Sequence, residues 1–242
     1  MKHEWFESGH VAIVTGGSRG LGKALARELL AHGLHVIIDG RDAAALDAAR
    51  EELRRHGDVI AIGGDVSDSE HAHALVAAAK DLGRLDLLVN NASTLGELPL
   101  PRIDALTRAT FDRLFAVNLF APIHLMQHAL RLMQRSGDLA TIVNVTSDAA
   151  VEAYPQWGGY GATKLALEHV SRVFAAELDG SNVRVLVADP GEMNTQMHRD
   201  AIPDADPQTL NDPADAARAL LRAIAEMQAP YARVELARVL SA

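Results

Sequence analysis

VAIVTGGSRGLGKALARELLAHG, residues 11–33, changes its period part-way along. The first four residues, Val11 to Val14, are apolar without interruption and β-branched at three positions, the pattern of a strand buried on both faces. From Gly22 onward apolar residues recur at three- and four-residue steps through Leu25 and Leu29, which is the spacing of an amphipathic helix. Between the two lies TGGSRGLG, 15–22, whose glycines include those at 16, 20 and 22. Backbone without Cβ turns tightly there and lets a ligand approach the first amides of the helix, whose dipole favours an anion.

Outward from this unit the chain repeats the same alternation. HVIID (35–39), DVIAIGGDV (58–66), LDLLVNNA (85–92), ATIVNVTS (140–147) and NVRVLVADPG (182–191) read as further strands buried on both faces. Helical patterns fill 22–33, 41–56 and 69–83, and long apolar helices are expected around 104–135 and 154–180. A seventh strand is expected over 231–239. Right-handed crossovers then dictate an α/β fold, a Rossmann-type doubly wound parallel sheet of about seven strands with helices on both faces. No interior linker or repeat divides residues 1–242, so a single domain is expected. The Pro- and Asp-rich interval 201–215 reads as part of a loop over a cleft, with a substrate loop around 192–212.

Composition narrows the function classes. With 32 acidic and 23 basic side chains the formal net charge is −9, so nucleic acid and anionic bilayers are repelled. No segment reaches the 18 or so apolar residues of a membrane helix, and MKHEWFESGH at the start has no apolar run; a cytoplasmic protein is expected. The absence of cysteine removes disulfides and thiolate catalysis.

The glycine run departs from G-x-G-x-x-G, so by itself it fits a plain tight turn as well as a dinucleotide site. Its place at the first strand-to-helix junction favours the dinucleotide, with Gly16, Ser18, Arg19, Gly20, Leu21 and Gly22 as the phosphate cradle. At the end of the second strand an acid selects a free ribose 2′-hydroxyl and an arginine a 2′-phosphate. The text there is IIDGRD. Counted from Gly16, the ribose-facing position is Gly40 rather than Asp39, which leaves room for phosphate beside Arg41 and Arg19. NADP(H) is favoured and NAD(H) is the alternative; both arginines as plain surface charges is the reading against which this is set.

Tyr160 and Lys164, in GYGATK, stand one helical turn apart on one face. A phenol titrates near ~10, and a fixed cation lowers the cost of its ionised form, so the pair suits an acid/base at a carbonyl or alcohol oxygen. Ser147 ends the fifth strand at the carboxyl edge, where open parallel sheets bind ligands, and its hydroxyl suits a carbonyl oxygen. Asn118 is a lone amide in the apolar stretch FDRLFAVNLFAPIHL, and a satisfied core amide is the lesser reading of it.

These residues resemble the short-chain dehydrogenase/reductase (SDR) family over nearly the whole chain: TGGSRGLG, Asp65, NNAS at 90–93, Asn118, Ser147, Tyr160 with Lys164, and PGEMNT at 190–195. The resemblance implies an oxidoreductase interconverting a ketone or aldehyde and an alcohol with NAD(P). It implies Asp65 and Val66 beside the adenine, Asn91 with Ala92 near the cofactor ribose, and Pro190, Gly191 and Thr195 at the nicotinamide amide. It also places Asn118 in a proton relay through water to Lys164 and Lys164 on the ribose hydroxyls. Two departures stand out. Ser93 replaces the usual glycine of NNAG, and the tail YARVELARVLSA lacks the family's Asp-Gly-Gly. A homodimer or homotetramer is expected through the long helices.

The histidine pairs 124/128 and 71/73 lack the glutamate and polar setting of a metal site, so no metal is assigned. The substrate is a small carbonyl or alcohol. A nucleotide-sensing module on the same fold is the reading from another class.

Overall fold

The computed structural model describes residues 8–240, without the side chain of Leu240; the remaining terminal residues of the expected 1–242 domain lie outside. Seven parallel strands form one sheet among the described residues, β1 (Val11–Val14), β2 (His35–Gly40), β3 (Val59–Gly63), β4 (Leu87–Asn90), β5 (Ala140–Val145), β6 (Val183–Asp189) and β7 (Tyr231–Glu235). Their order is β3-β2-β1-β4-β5-β6-β7, so the chain reverses direction across the sheet between β1 and β4. Open α/β sheets hold ligands at such a switch point, outside the carboxyl ends of the strands.

The strands alternate between two apolar layers. Ala12 and Val14 join Leu25 and Leu29 of α1 (Gly20–Ala31), Leu46 and Leu53 of α2 (Ala43–Leu53), and a later C-terminal helix. Val11 and Ile13 join Leu75 of α3 (Ser69–Asp81) and the helices after β4. A period of two along each strand thus feeds a core on both faces. β3 and β7 differ: as edge strands they are only partly covered, which corrects the expectation that 58–66 is buried on both faces.

After β4 the expected 104–135 helix is broken. α4 (Arg108–Phe115) passes through a π-helical turn, Ala116–Phe120, into α5 (Ala121–Arg135). Such turns are rare and concentrate at functional sites; Asn118 lies at the centre of this one, fully buried. The expected 154–180 helix is α6 (Gly158–Glu177). The interval 192–212 is folded rather than loose: it holds α7 (Gln196–Ala201), and the Met193–Asn211 bridge ties its ends together. α8 (Pro213–Glu226) then packs on α1. The seventh strand stops at Glu235 and runs into a short helix, α9 (Leu236–Leu240), because Leu236 turns into the core. Among the described residues no helix is long and apolar enough to cross a membrane.

Helix starts follow local chemistry. α2, α3 and α8 begin on Asp42, Asp68 and Asp212, whose carboxylates accept from first-turn amides at 3.1, 3.0 and 2.8 Å, contacts worth about 1 kcal/mol each. α1 begins at Arg19 with no side-chain cap, which leaves its first amides facing the turn.

Candidate active site

A cleft of about 610 Å³ runs along the carboxyl edge over β1, β2 and β4. Gly16, Ser18, Arg19, Gly20 and Leu21 line it from the glycine turn, Arg41 from the end of β2, Asp65 and Val66 from beyond the end of β3, Asn91 and Ala92 from the end of β4, and Thr195 from the cap before α7. Gly22 does not face this cleft. A Cβ there would lie 2.4 Å from the Gly16 carbonyl oxygen and 2.6 Å from the Asn91 amide nitrogen, so its part is to let α1 seat against the turn. Gly16 itself has φ +68, a conformation glycine adopts without strain.

Thr15, which sequence reasoning did not single out, and Asp39, which it set aside from the ribose, hold the turn. Thr15 Oγ1 accepts from the backbone N–H of Asn91 and of Ala92, each at 3.0 Å, while Asn91 Nδ2 donates to the Thr15 carbonyl at 2.7 Å. Asp39 is 1% exposed; it accepts from Gly16 N–H at 2.6 Å and lies 3.0 Å from His71 Nε2. That carboxylate therefore supports the turn, and Gly40, Arg41 and Arg19 are left at the rim. Arg19 approaches Asp42 to 3.8 Å with both side chains exposed. A hydrogen-bonded carboxylate inside a strand gives no periodic signal, so only the neighbouring glycine hints at it.

Asp65 lines the cleft with both oxygens engaged. Its Oδ1 accepts from Ser67 N–H and Oγ–H at 2.9 and 2.7 Å, and its Oδ2 from Arg113 of α4 at 2.7 Å. Burial works to raise this carboxyl, but the Ser67 and Arg113 bonds prevail and hold it at about 2. Arg113 is a residue the sequence did not reveal, because the contact joins elements 48 positions apart.

A second cavity of about 440 Å³ opens beside the first and shares Leu21, Asn91, Ser93 and Thr195 with it. Ser147, Tyr160, Lys164, Pro190 and Gly191 line this one, so the strand ends of β5 and β6 and the first turns of α6 converge as expected. Tyr160 and Lys164 are 8% and 2% exposed. Lys164 Nζ donates to the Val145 carbonyl at 2.8 Å and lies 5.5 Å from the Tyr160 ring centroid. Trp157 meets Tyr160 edge-on at 5.6 Å, and Ser93 and Ser147 line the same cavity as the phenol.

The electrostatics of this pair differ from the sequence expectation. Burial pushes the Tyr160 phenol up to about 12, with the carboxylates of Asp189 and Asp148 acting in the same direction and the hydroxyls of Ser93 and Ser147 opposing them. Burial also pulls the Lys164 ammonium down to about 8. An ammonium held over the ring and bonded to a carbonyl does little for the phenolate, and desolvation of both groups prevails. In the chain by itself Tyr160 is a protonated phenol.

Asn118 is wholly engaged. Its Oδ1 accepts from Ser93 Oγ and Thr94 N at 3.1 and 2.9 Å, and its Nδ2 donates to the Thr94 carbonyl and Thr163 Oγ1 at 2.9 and 3.1 Å. The side chain is thereby a strut between the NNAS segment and α6. The histidines considered for a metal have other contacts: His71 sits on Asp39, and the ring of His128 lies 4.0 Å from that of His73.

The family model described as "short chain dehydrogenase" matches residues 10–206. The chain belongs to the short-chain dehydrogenase family. It is an oxidoreductase acting on CH–OH and C=O groups with NAD(P). The rhamnolipids biosynthesis 3-oxoacyl-[acyl-carrier-protein] reductase of Pseudomonas aeruginosa is 35% identical over 221 residues, covering 89% of this chain and 84% of that protein. A short chain dehydrogenase from Pseudomonas syringae superposes with a TM-score of 0.88 at 29% identity over 98% of both chains. The Pseudomonas aeruginosa RhlG/NADP active-site complex does so with 0.83 at 30% identity over 96% of each. In this SDR chain the glycine turn lining the cleft, the start of α1 without a side-chain cap and the rim arginines fit a dinucleotide.

Proposed function

We propose that this SDR reduces a ketone or aldehyde to an alcohol with NADP(H), using Tyr160 as general acid and, in reverse, as general base. The observation that carries the reading is the convergence of Tyr160, Ser147 and Lys164 on one cavity that shares a wall with the glycine-turn cleft. When bound, NADP(H) supplies or accepts the hydride. Tyr160 gives its proton to the carbonyl oxygen as the carbon is reduced, Ser147 positions that oxygen, and Lys164 holds the ribose hydroxyls. Asn118 braces the segment around Tyr160 with its side chain. Gly16, Ser18, Arg19, Gly20, Leu21, Asn91 and Ala92 hold the pyrophosphate and ribose, Asp65 and Val66 flank the adenine, and Pro190, Gly191 and Thr195 meet the nicotinamide.

Preference for NADP over NAD rests on Asp39 being turned under the turn, on Gly40 leaving space, and on Arg41 and Arg19 at the rim. The NADP complex of RhlG is consistent with it. The substrate cavity is walled by Tyr154, Trp157 and Met193 and carries Asp148, Asp189 and Glu192, which favours uncharged carbonyl compounds over carboxylated ones. Phe120, Leu165 and Val173 on the outer helices are 51%, 53% and 43% exposed, a surface suited to a homodimer or homotetramer. Nicotinamide absorbance, followed with NADPH or NADH and a panel of neutral and carboxylated carbonyls, tests the reading. Turnover with NADPH and neutral carbonyls is expected; tight NADPH binding without turnover on any of them would favour the sensing module.

A further inference from the structure

Asp39 is an acid at the end of β2, next to the position from which a carboxylate would meet a cofactor ribose, yet both of its oxygens are engaged beneath the glycine turn. Oδ1 accepts from Gly16 N–H at 2.6 Å, and Oδ2 lies 3.0 Å from His71 Nε2. A carboxylate only accepts, so His71 Nε2 carries the proton of that bond. The backbone adds a third tie, with Gly17 N–H donating to the Asp39 carbonyl at 3.0 Å.

His71 reaches this carboxylate from another element, the first turn of α3, and is itself buried. The chain makes room for its ring. A Cβ on Gly64 would lie 2.1 Å from His71 Nδ1, so a residue without a side chain is needed where the imidazole sits. Gly64 is in turn tied to β2, its N–H donating to the Gly40 carbonyl at 3.1 Å. Asp39, Gly40 and Gly64 all line the cleft that fits the dinucleotide. A buried carboxylate left with one amide donor is destabilised, and the cleft is the side on which this one meets solvent or ligand.

We infer that His71 is a positioning residue that sets the cofactor preference: by binding Oδ2 it keeps the Asp39 carboxylate under the turn and out of the space that a ribose 2′-phosphate needs. The inference rests on the reading of the cofactor as NADP(H). Without the imidazole the carboxylate turns into the cleft, where it accepts from the free 2′-hydroxyl of NAD(H) and repels the 2′-phosphate of NADP(H). One cofactor gains and the other loses, a result that general loosening of the fold does not produce.

The test is the ratio of the NADH to the NADPH dissociation constant, read by fluorescence titration without substrate, in the wild type and in His71→Leu, which fills the space but removes the donor. The ratio is expected to fall by about tenfold or more, with NADH binding tighter and NADPH weaker. His71→Gln, whose amide donates from about the place of Nε2, is expected to restore most of the wild-type ratio. Asp39→Asn added to His71→Leu removes the charge that repels phosphate, so the ratio should return toward the wild type. Should His71→Leu fail to fold, His71→Met fills the gap with a flexible chain and no N–H donor, and the same fall is expected. A folded His71→Leu or His71→Met with the wild-type ratio, or a double variant that keeps the lowered one, overturns the inference and leaves NADP(H) as the cofactor. A wild type that binds NADH more tightly than NADPH overturns the cofactor reading instead.

Discussion

The turn after β1 and the loop after β5 both leave the carboxyl edge of the sheet, yet they prepare their ligand sites by opposite means. After β1 the chain exposes backbone: Gly16 takes φ +68, α1 starts without a side-chain cap, and the cleft above is rimmed by exposed Arg19 and Arg41. After β5 the chain hides side chains: Tyr160 and Lys164 are 8% and 2% exposed, and their titration is moved by burial. Dipoles fixed in the backbone need no ionisation and work close to water. A proton donor has to be tuned, and removal from water supplies the tuning.

This contrast can be broken first at the buried end. Tyr160→Phe keeps the packing but deletes the proton, so kcat should fall by about a hundredfold to ten-thousandfold while the NADPH dissociation constant, read by fluorescence titration, stays within about twofold of wild type. A matching loss of cofactor affinity would mean the two regions are not separable. At the backbone end Gly22→Ala should act through structure: the new methyl meets the Gly16 carbonyl at 2.4 Å, an overpacking that costs about 1 to 3 kcal/mol. Its Tm and NADPH affinity should drop together.

The rim sharpens the comparison further. Arg41→Ala together with Arg19→Ala should raise KM for NADPH by about thirtyfold, since each of the two exposed bonds to a charged phosphate contributes near 1 kcal/mol, and should leave KM for NADH in place. The smallest effect belongs to Asp65. Its carboxyl is depressed to about 2, so its contribution to stability is complete above its unfolded value near ~3.9 and disappears as pH falls toward 2. Asp65→Asn should unfold with an acid midpoint slightly above that of wild type, and the curves should differ little below pH ~2 because neither protein then carries the charge. Asp65 and Arg113 are 33% and 38% exposed, so solvent screening keeps the difference small.

What was legible in the sequence follows the same division. Strand and helix periods are local, so β1, β2, β4, β5 and β6 and the first three helices are found where their patterns put them, within a few residues. Glycines announce a turn by their type alone, and Tyr160 with Lys164 announce themselves by a fixed offset on one helix. β3 misled because an edge strand and a central one share the same apolar text. The break at 116–120 carries no proline or glycine to mark it.

By itself the sequence determined the alternation of strand and helix, the position of the glycine turn and the spacing of tyrosine, lysine and serine, because each depends on neighbours within a turn or two of chain. Only the tertiary structure decided that Asp39 turns under the glycine loop, that Arg113 reaches Asp65, that Asn118 makes four side-chain hydrogen bonds, and that burial raises the Tyr160 phenol. Those outcomes depend on which distant groups meet and how much water is removed between them, and desolvation is a property of the assembled core rather than of any residue in it.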